Sequence, residues 1–86
     1  MSSLAQKIEH DFIATKVWCN EDSLFVALDD GREIKVPLEF YPRLGRASKK
    51  QRENYEFIGE GTGIHWPDID EDLSVEGIVL GIPARF

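Results

Sequence analysis

The tripeptide Asp29-Asp30-Gly31 constrains this sequence more than any other feature. It lies between an apolar run, Leu24-Phe-Val-Ala-Leu28, and an alternating segment, Glu33-Ile-Lys-Val36. An Asp-Gly step favours a tight reversal because glycine accepts positive φ without steric penalty. Two β-type segments joined in this way predict an antiparallel hairpin. The period of two places Ile34 and Val36 on one face and Glu33 and Lys35 on the other. Upstream, Ile13 to Trp18 is rich in β-branched and apolar residues, and Asn20-Glu-Asp-Ser23 has turn chemistry. The spacing therefore predicts a three-stranded antiparallel meander over about 13–19, 23–29 and 32–37, with one face buried. Pro37 cannot donate to a ladder, so it ends the third strand or places it at an edge. Trp18 and Phe25 are expected to pack in or beside the buried face.

Helical signals follow. Pro42 can open a helical turn. Ser48-Lys-Lys-Gln51 has the spacing of a capping box, in which the serine oxygen accepts from the Gln51 amide and the Gln51 side chain reaches back. Leu44, Ala47, Gln51, Tyr55 and Ile58 recur at helical spacing. Two helical turns and then a helix over about 48–56 are expected, with Lys49, Lys50, Arg52 and Glu53 facing outward. Phe57-Ile58 and Ile64-His-Trp66 each fit a short strand, and Asp68 to Asp72 reads as a loop. Val75, Ile78, Val79 and Ile82 fit a last helix, capped by Asp72 or Ser74 and ended by Gly81 and Pro83. At the other end, Leu4, Ile8 and Phe12 would share a helical face, and a short helix and a frayed tail both fit residues 1–11. The expected organisation is an N-terminal extension, 1–11, and a single α+β domain over 12–86. That domain is a small two-layer unit: the meander, extended by one or two short strands, packed with two short helices.

At 86 residues the chain makes one domain. A domain of this size buries only about 60% of the surface its unfolded chain exposes, so its stability margin is thin. The single cysteine, Cys19, has no internal disulfide partner, and no spacing suggests a zinc site. The sequence shows no signal-type apolar region and no long apolar run, so a cytoplasmic setting without membrane contact is expected. The net charge of -6 opposes nonspecific nucleic-acid binding, which depends on neutralising phosphates. Charge is also segregated. Arg43, Arg46, Lys49, Lys50 and Arg52 crowd one stretch, and Asp68, Asp70, Glu71, Asp72 and Glu76 another. Such groups form either ordinary solvated surface or complementary faces for a charged protein partner.

The stretch from Gly61 to Gly81 concentrates glycines, a His65-Trp66-Pro67 triplet and closely spaced carboxylates. His65 with Asp68, Asp70 and Asp72 is the strongest metal candidate, since carboxylates suit Mg²⁺ or Ca²⁺ and an imidazole favours a transition metal. The match to a calcium loop fails at its sixth position, Leu73, and its twelfth, Val79. These acids are expected instead to cap the last helix, order the loop and meet Arg43 or Arg52. Cys19 lacks a flanking catalytic motif, and Gly59-x-Gly61-x-Gly63 lacks the strand and helix context of a phosphate loop. The chain is therefore expected to be neither an enzyme nor a cofactor carrier. The alternative is a small metal-dependent enzyme or metal-binding domain built on the 65–72 loop.

Three segments carry a resemblance. They are Val36-Pro-Leu-Glu-Phe-Tyr-Pro-Arg-Leu44, Arg52-Glu-Asn-Tyr-Glu56 and Gly63-Ile-His-Trp-Pro-Asp-Ile-Asp-Glu-Asp-Leu-Ser-Val-Glu-Gly77. Together with the Leu24 to Gly31 strand and turn, they resemble the bacterial domain-of-unknown-function family 2442 over about residues 12–82. The resemblance implies a small α+β domain. It also implies an antitoxin-like role in a two-gene toxin–antitoxin pair, with a small protein of domain-of-unknown-function family 4160 as partner. Longer relatives add a helix-turn-helix domain that this sequence does not show, so protein binding is expected rather than operator binding. The family supplies no catalytic residues to carry over. The expected contact surface for a basic protein partner comprises Tyr41, Arg43, Leu44, Lys49, Arg52, His65, Trp66, Asp68, Asp70 and Asp72. The sequence leaves the oligomeric state open, a homodimer included.

Overall fold

Asn20 makes the first reversal of the chain. Its side-chain oxygen accepts from the amides of Asp22 and Ser23 at 2.8 and 2.7 Å, an Asx-type turn. This joins β1 (Ala14–Cys19) to β2 (Ser23–Leu28). The second reversal uses Gly31 at φ 96, and its amide donates to Leu28 at 3.1 Å. Glycine fits there because the turn needs positive φ. β3 (Glu33–Pro37) follows, and the three strands form an antiparallel sheet in the order β1-β2-β3. The expected meander is therefore present. The computed structural model describes residues 12–84, so the expected N-terminal extension, 1–11, lies outside the described residues.

A one-residue irregularity between Ala14 and Lys16 shifts the β1 register, leaving Thr15 exposed while Ala14 and Val17 stay buried. Leu24, Val26, Leu28 and Val36 line the same inner face. Trp18 and Phe25 are cross-strand partners on the opposite face, stacked with ring centroids 5.3 Å apart. Lys16 and Lys35 lie over those rings at 5.2 and 5.9 Å. The pair thus packs beside the core sheet and not within the core, and the lysine stems cover part of its apolar surface.

After a short 3₁₀ turn, Leu38–Phe40, come α1 (Pro42–Arg46) and α2 (Lys49–Glu53). The capping box at Ser48 is complete: Gln51 donates its amide to Ser48 Oγ at 3.1 Å, and Ser48 donates its amide to Gln51 Oε1 at 2.9 Å. α2 ends at Glu53 with Asn54 as its C-cap, so the expected continuation to 56 does not occur. Glu56 instead opens β4 (Glu56–Ile58).

β4, β5 (Gly63–Trp66) and β6 (Glu71–Ser74) form a second antiparallel sheet in the order β4-β5-β6. The short strands thus build a sheet of their own and do not lengthen the meander. Glu71 and Asp72, read as loop, belong to its third strand. α3 (Val75–Leu80) closes the chain. Ser74, one of the two expected caps, accepts from the Gly77 amide at 2.9 Å, and Gly81 ends the helix in the left-handed region. The fold is α+β, with two three-stranded sheets and three short helices. Among the described residues no helix is long and apolar enough to cross a membrane.

The inner faces meet in one core. Ile64 and Trp66 from β5, Leu44 from α1, and Val75 and Ile78 from α3 pack with the meander's inner residues, and Tyr41 and Leu38 complete the set. Trp66 is the largest fully buried side chain.

Candidate functional site

The second sheet is pinned from its ends. Gly61, at φ 104, passes so close to β1 that a Cβ there would lie 2.8 Å from the Ala14 carbonyl oxygen and 2.9 Å from Ile13. Val75 donates its amide to Thr62 at 2.9 Å, joining the start of α3 to the start of β5. In the middle, the buried Trp66 donates its indole N–H to the Arg52 carbonyl at 3.0 Å. These three points hold 61–75 as a clasp across the core.

Alternation then decides what the clasp shows to solvent. Ile64 and Trp66 point inward, so His65 points outward. Its direct neighbours across the strands are Glu56 on β4 and Asp72 on β6. The outer face therefore carries a row, Glu56–His65–Asp72. The His65 Nδ1 and Asp72 Oδ1 atoms are in hydrogen-bond contact, with a quarter of the His65 side chain exposed. That hydrogen bond is the chief reason the imidazole is held above its ordinary protonation range. Desolvation opposes it, and the charges of Asp72, Glu56 and Asp70 add to the upward shift.

The turn between β5 and β6 supplies further exposed carboxylates. Asp68 accepts from the Asn54 side-chain amide at 3.1 Å, which fastens the turn to the end of α2. Asp70 sits at φ 53, a left-handed conformation that Asp tolerates better than most residues. Arg43 donates to the Asp70 backbone carbonyl at 2.8 Å. The expected meeting of Arg43 with the acidic segment thus occurs through the main chain. Arg43 also acts electrostatically on Glu71, whose carboxyl is pushed up mainly by burial. Glu71 Oε2 is buried without a hydrogen-bond partner.

Arg52 does not reach these acids. Its guanidinium donates to the carbonyls of Leu44 at 3.0 Å, Gly45 at 2.8 Å and Asn20 at 3.4 Å. Nor do the acids cap α3, since Ser74 does. The metal candidates His65, Asp68, Asp70 and Asp72 are also drawn apart, with Asp72 on His65 and Asp68 on Asn54. Among the described residues, no three His, Cys, Asp or Glu side chains are grouped to hold a metal ion.

The family model described as Protein of unknown function (DUF2442) matches residues 14–84. The chain belongs to the DUF2442 family. A structure similar to this DUF2442 chain is that of a protein of unknown function from Rhodospirillum rubrum. It is 29% identical with a TM-score of 0.76, and the match covers 88% of this chain and 94% of that one. An uncharacterized protein from Chromobacterium violaceum shares the fold at 20% identity and a TM-score of 0.72, over 96% of this chain and 76% of that one. No curated protein matches.

Within this DUF2442 domain, the residues singled out from sequence fall into separate settings. Tyr41, Leu44 and Trp66 are at most 1% exposed and build the core, so they offer no contact surface. Lys49 and Arg52 line a groove of about 550 Å³ between β1 and α2, together with Trp18, Cys19 and Tyr55. There Lys49 pairs with Glu53 at 3.0 Å, and burial pushes the Cys19 thiol up. His65 and Asp72 lie on the second sheet's outer face, Asp68 and Asp70 on the adjoining turn, and Arg43 reaches that turn from α1. The residue that sequence reading missed is Glu56. Its only local signal was a place at the presumed helix end, whereas its role comes from its register opposite His65.

Proposed function

We propose that this DUF2442 chain is a non-catalytic protein-binding module that docks a basic protein, as the antitoxin-like member of a two-gene toxin–antitoxin pair. The observation that carries this reading is the register of Glu56 and Asp72 on either side of His65 on an exposed sheet face, with Asp70 exposed on the adjoining turn. These acids project from a sheet that is pinned to the core at Gly61, Trp66 and Val75, and a pre-organised face lowers the ordering cost of binding. The overall charge of -6 adds long-range attraction for a cationic partner. The candidate toxin is the small family-4160 protein that the family-2442 resemblance implies as partner, and masking such a protein requires no chemistry of its own.

Co-expression with the product of the adjoining open reading frame tests the proposal. The partner should co-purify at low salt and be lost progressively as ionic strength rises. The combined variant Glu56→Gln, Asp70→Asn and Asp72→Asn should fold and fail to retain it. Absence of a co-purifying partner at low salt refutes this role.

A further inference from the structure

We infer that the cross-strand row Glu56–His65–Asp72 is a proton-operated switch that sets the charge of the second sheet's outer face. The geometry is the starting point. His65 stands on the central strand, Glu56 directly opposite on β4 and Asp72 directly opposite on β6. Asp70 adds its charge from the turn between β5 and β6. His65 is thus flanked by carboxylates from both neighbouring strands.

Two carboxylates beside one imidazolium leave a row with a single unbalanced negative charge. In that state the His65 Nδ1–H donates to Asp72 and the repulsion between the flanking acids is offset. When the imidazole is neutral, both carboxylates are unbalanced and the face becomes more negative. Histidine is the side chain whose ordinary titration falls near neutral pH, so modest changes of pH can work this device. The Asp72 hydrogen bond and the surrounding acids move the His65 transition upward from its ordinary range. Resting on the proposed docking of a basic partner, the consequence for binding has a definite sign. The face attracts cations more strongly above the His65 transition than below it.

The test is an NMR titration of the His65 ring in the full chain, with His65→Gln identifying its resonance against that of His10. The His65 midpoint should lie above about 6.5, the ordinary histidine value. It should fall in Asp72→Asn and, by less, in Glu56→Gln, which keeps the direct Asp72 contact and guards against a misfolded first variant. A wild-type midpoint at or below that value, or one unmoved in both variants, overturns the switch. An oligolysine peptide is then titrated at low salt on either side of the midpoint. Tighter binding on the alkaline side, lost in His65→Gln, supports control of the face by His65. Equal binding on both sides overturns that control. No oligolysine binding at either pH, with the midpoints as expected, overturns the cationic-partner reading and leaves the switch standing.

Discussion

The indole N–H of Trp66 donates to the carbonyl oxygen of Arg52 at 3.0 Å, while the Arg52 guanidinium holds the carbonyls of Leu44, Gly45 and Asn20. One residue therefore joins the second sheet, the end of α1 and the first turn of the meander. Helix ends leave carbonyls without internal partners, and a planar guanidinium can satisfy several at once. Arg52→Lys keeps the charge but supplies a single compact donor group. It should destabilise the fold by about 1–3 kcal/mol, read as a lower urea midpoint. An unchanged midpoint would show that these contacts contribute little.

Trp66 itself should be less tolerant. Trp66→Phe keeps an aromatic ring but leaves the Arg52 carbonyl without its donor, at a cost of about 1–3 kcal/mol. Trp66→Ala adds a cavity and should cost about 3–5 kcal/mol, a large share of the stability of a domain this small. The ordering wild type, Phe, Ala in denaturant midpoint is the expected result.

Gly61 and Gly81 both have positive φ, yet substitution should affect them differently. A Cβ at Gly61 meets the Ala14 backbone at 2.8 Å, whereas nothing lies within 4 Å of one at Gly81. Gly81→Ala should cost only the left-handed backbone penalty, about 1–2 kcal/mol. Gly61→Ala forces β1 and the clasp apart and should cost clearly more. Equal losses in thermal or urea unfolding would contradict the close approach.

The His65–Asp72 contact gives stability a defined pH dependence. The folded histidine value is raised above its unfolded value of about 6.5. Its stabilisation is therefore complete below 6.5 and disappears as pH rises through the folded value. The wild-type urea midpoint should fall across that window relative to His65→Gln. A constant difference between the two proteins from pH 5.5 to 9 would contradict this linkage.

Glu71 should respond in an unusual way. Burial raises its carboxyl from the ordinary value, with Arg43 opposing, and Oε2 has no hydrogen-bond partner. The folded state thus favours the protonated form, so Glu71 contributes stability at low pH that is lost as pH rises through its raised value. Glu71→Gln removes the ionised form and should leave stability at pH 7 unchanged or higher, within about 1 kcal/mol. A loss well beyond that would mean that the charge on Arg43 needs this carboxylate.

The meander was legible because its signals are local. Asp29-Asp30-Gly31 supplies the turn, and the flanking strands are long enough for a period of two to show. The Ser48 and Ser74 caps were legible for the same reason. β4, β5 and β6 span only three or four residues each, too few to display a period. Glu56 consequently read as a helix end and Asp72 as loop, and only long-range register places them on either side of His65. Arg52 read as an outward cation because its helical position faces away from the core stripe. Its folding back onto three carbonyls depends on neighbours that the local pattern does not reveal. Tyr41 and Trp66 read as interface anchors because aromatic anchors and core aromatics look alike in sequence.

Amide and indole hydrogen exchange, measured on the free chain and after adding the adjoining gene product, tests the central claim most directly. The clasp should hold the core while its outer side meets the partner. The expected result is a slow Trp66 indole N–H in both samples, with new protection at Glu56–Ile58 and across 68–72 when the partner is present. A fast Trp66 indole in the free chain, or partner-induced protection that avoids both segments, would contradict it.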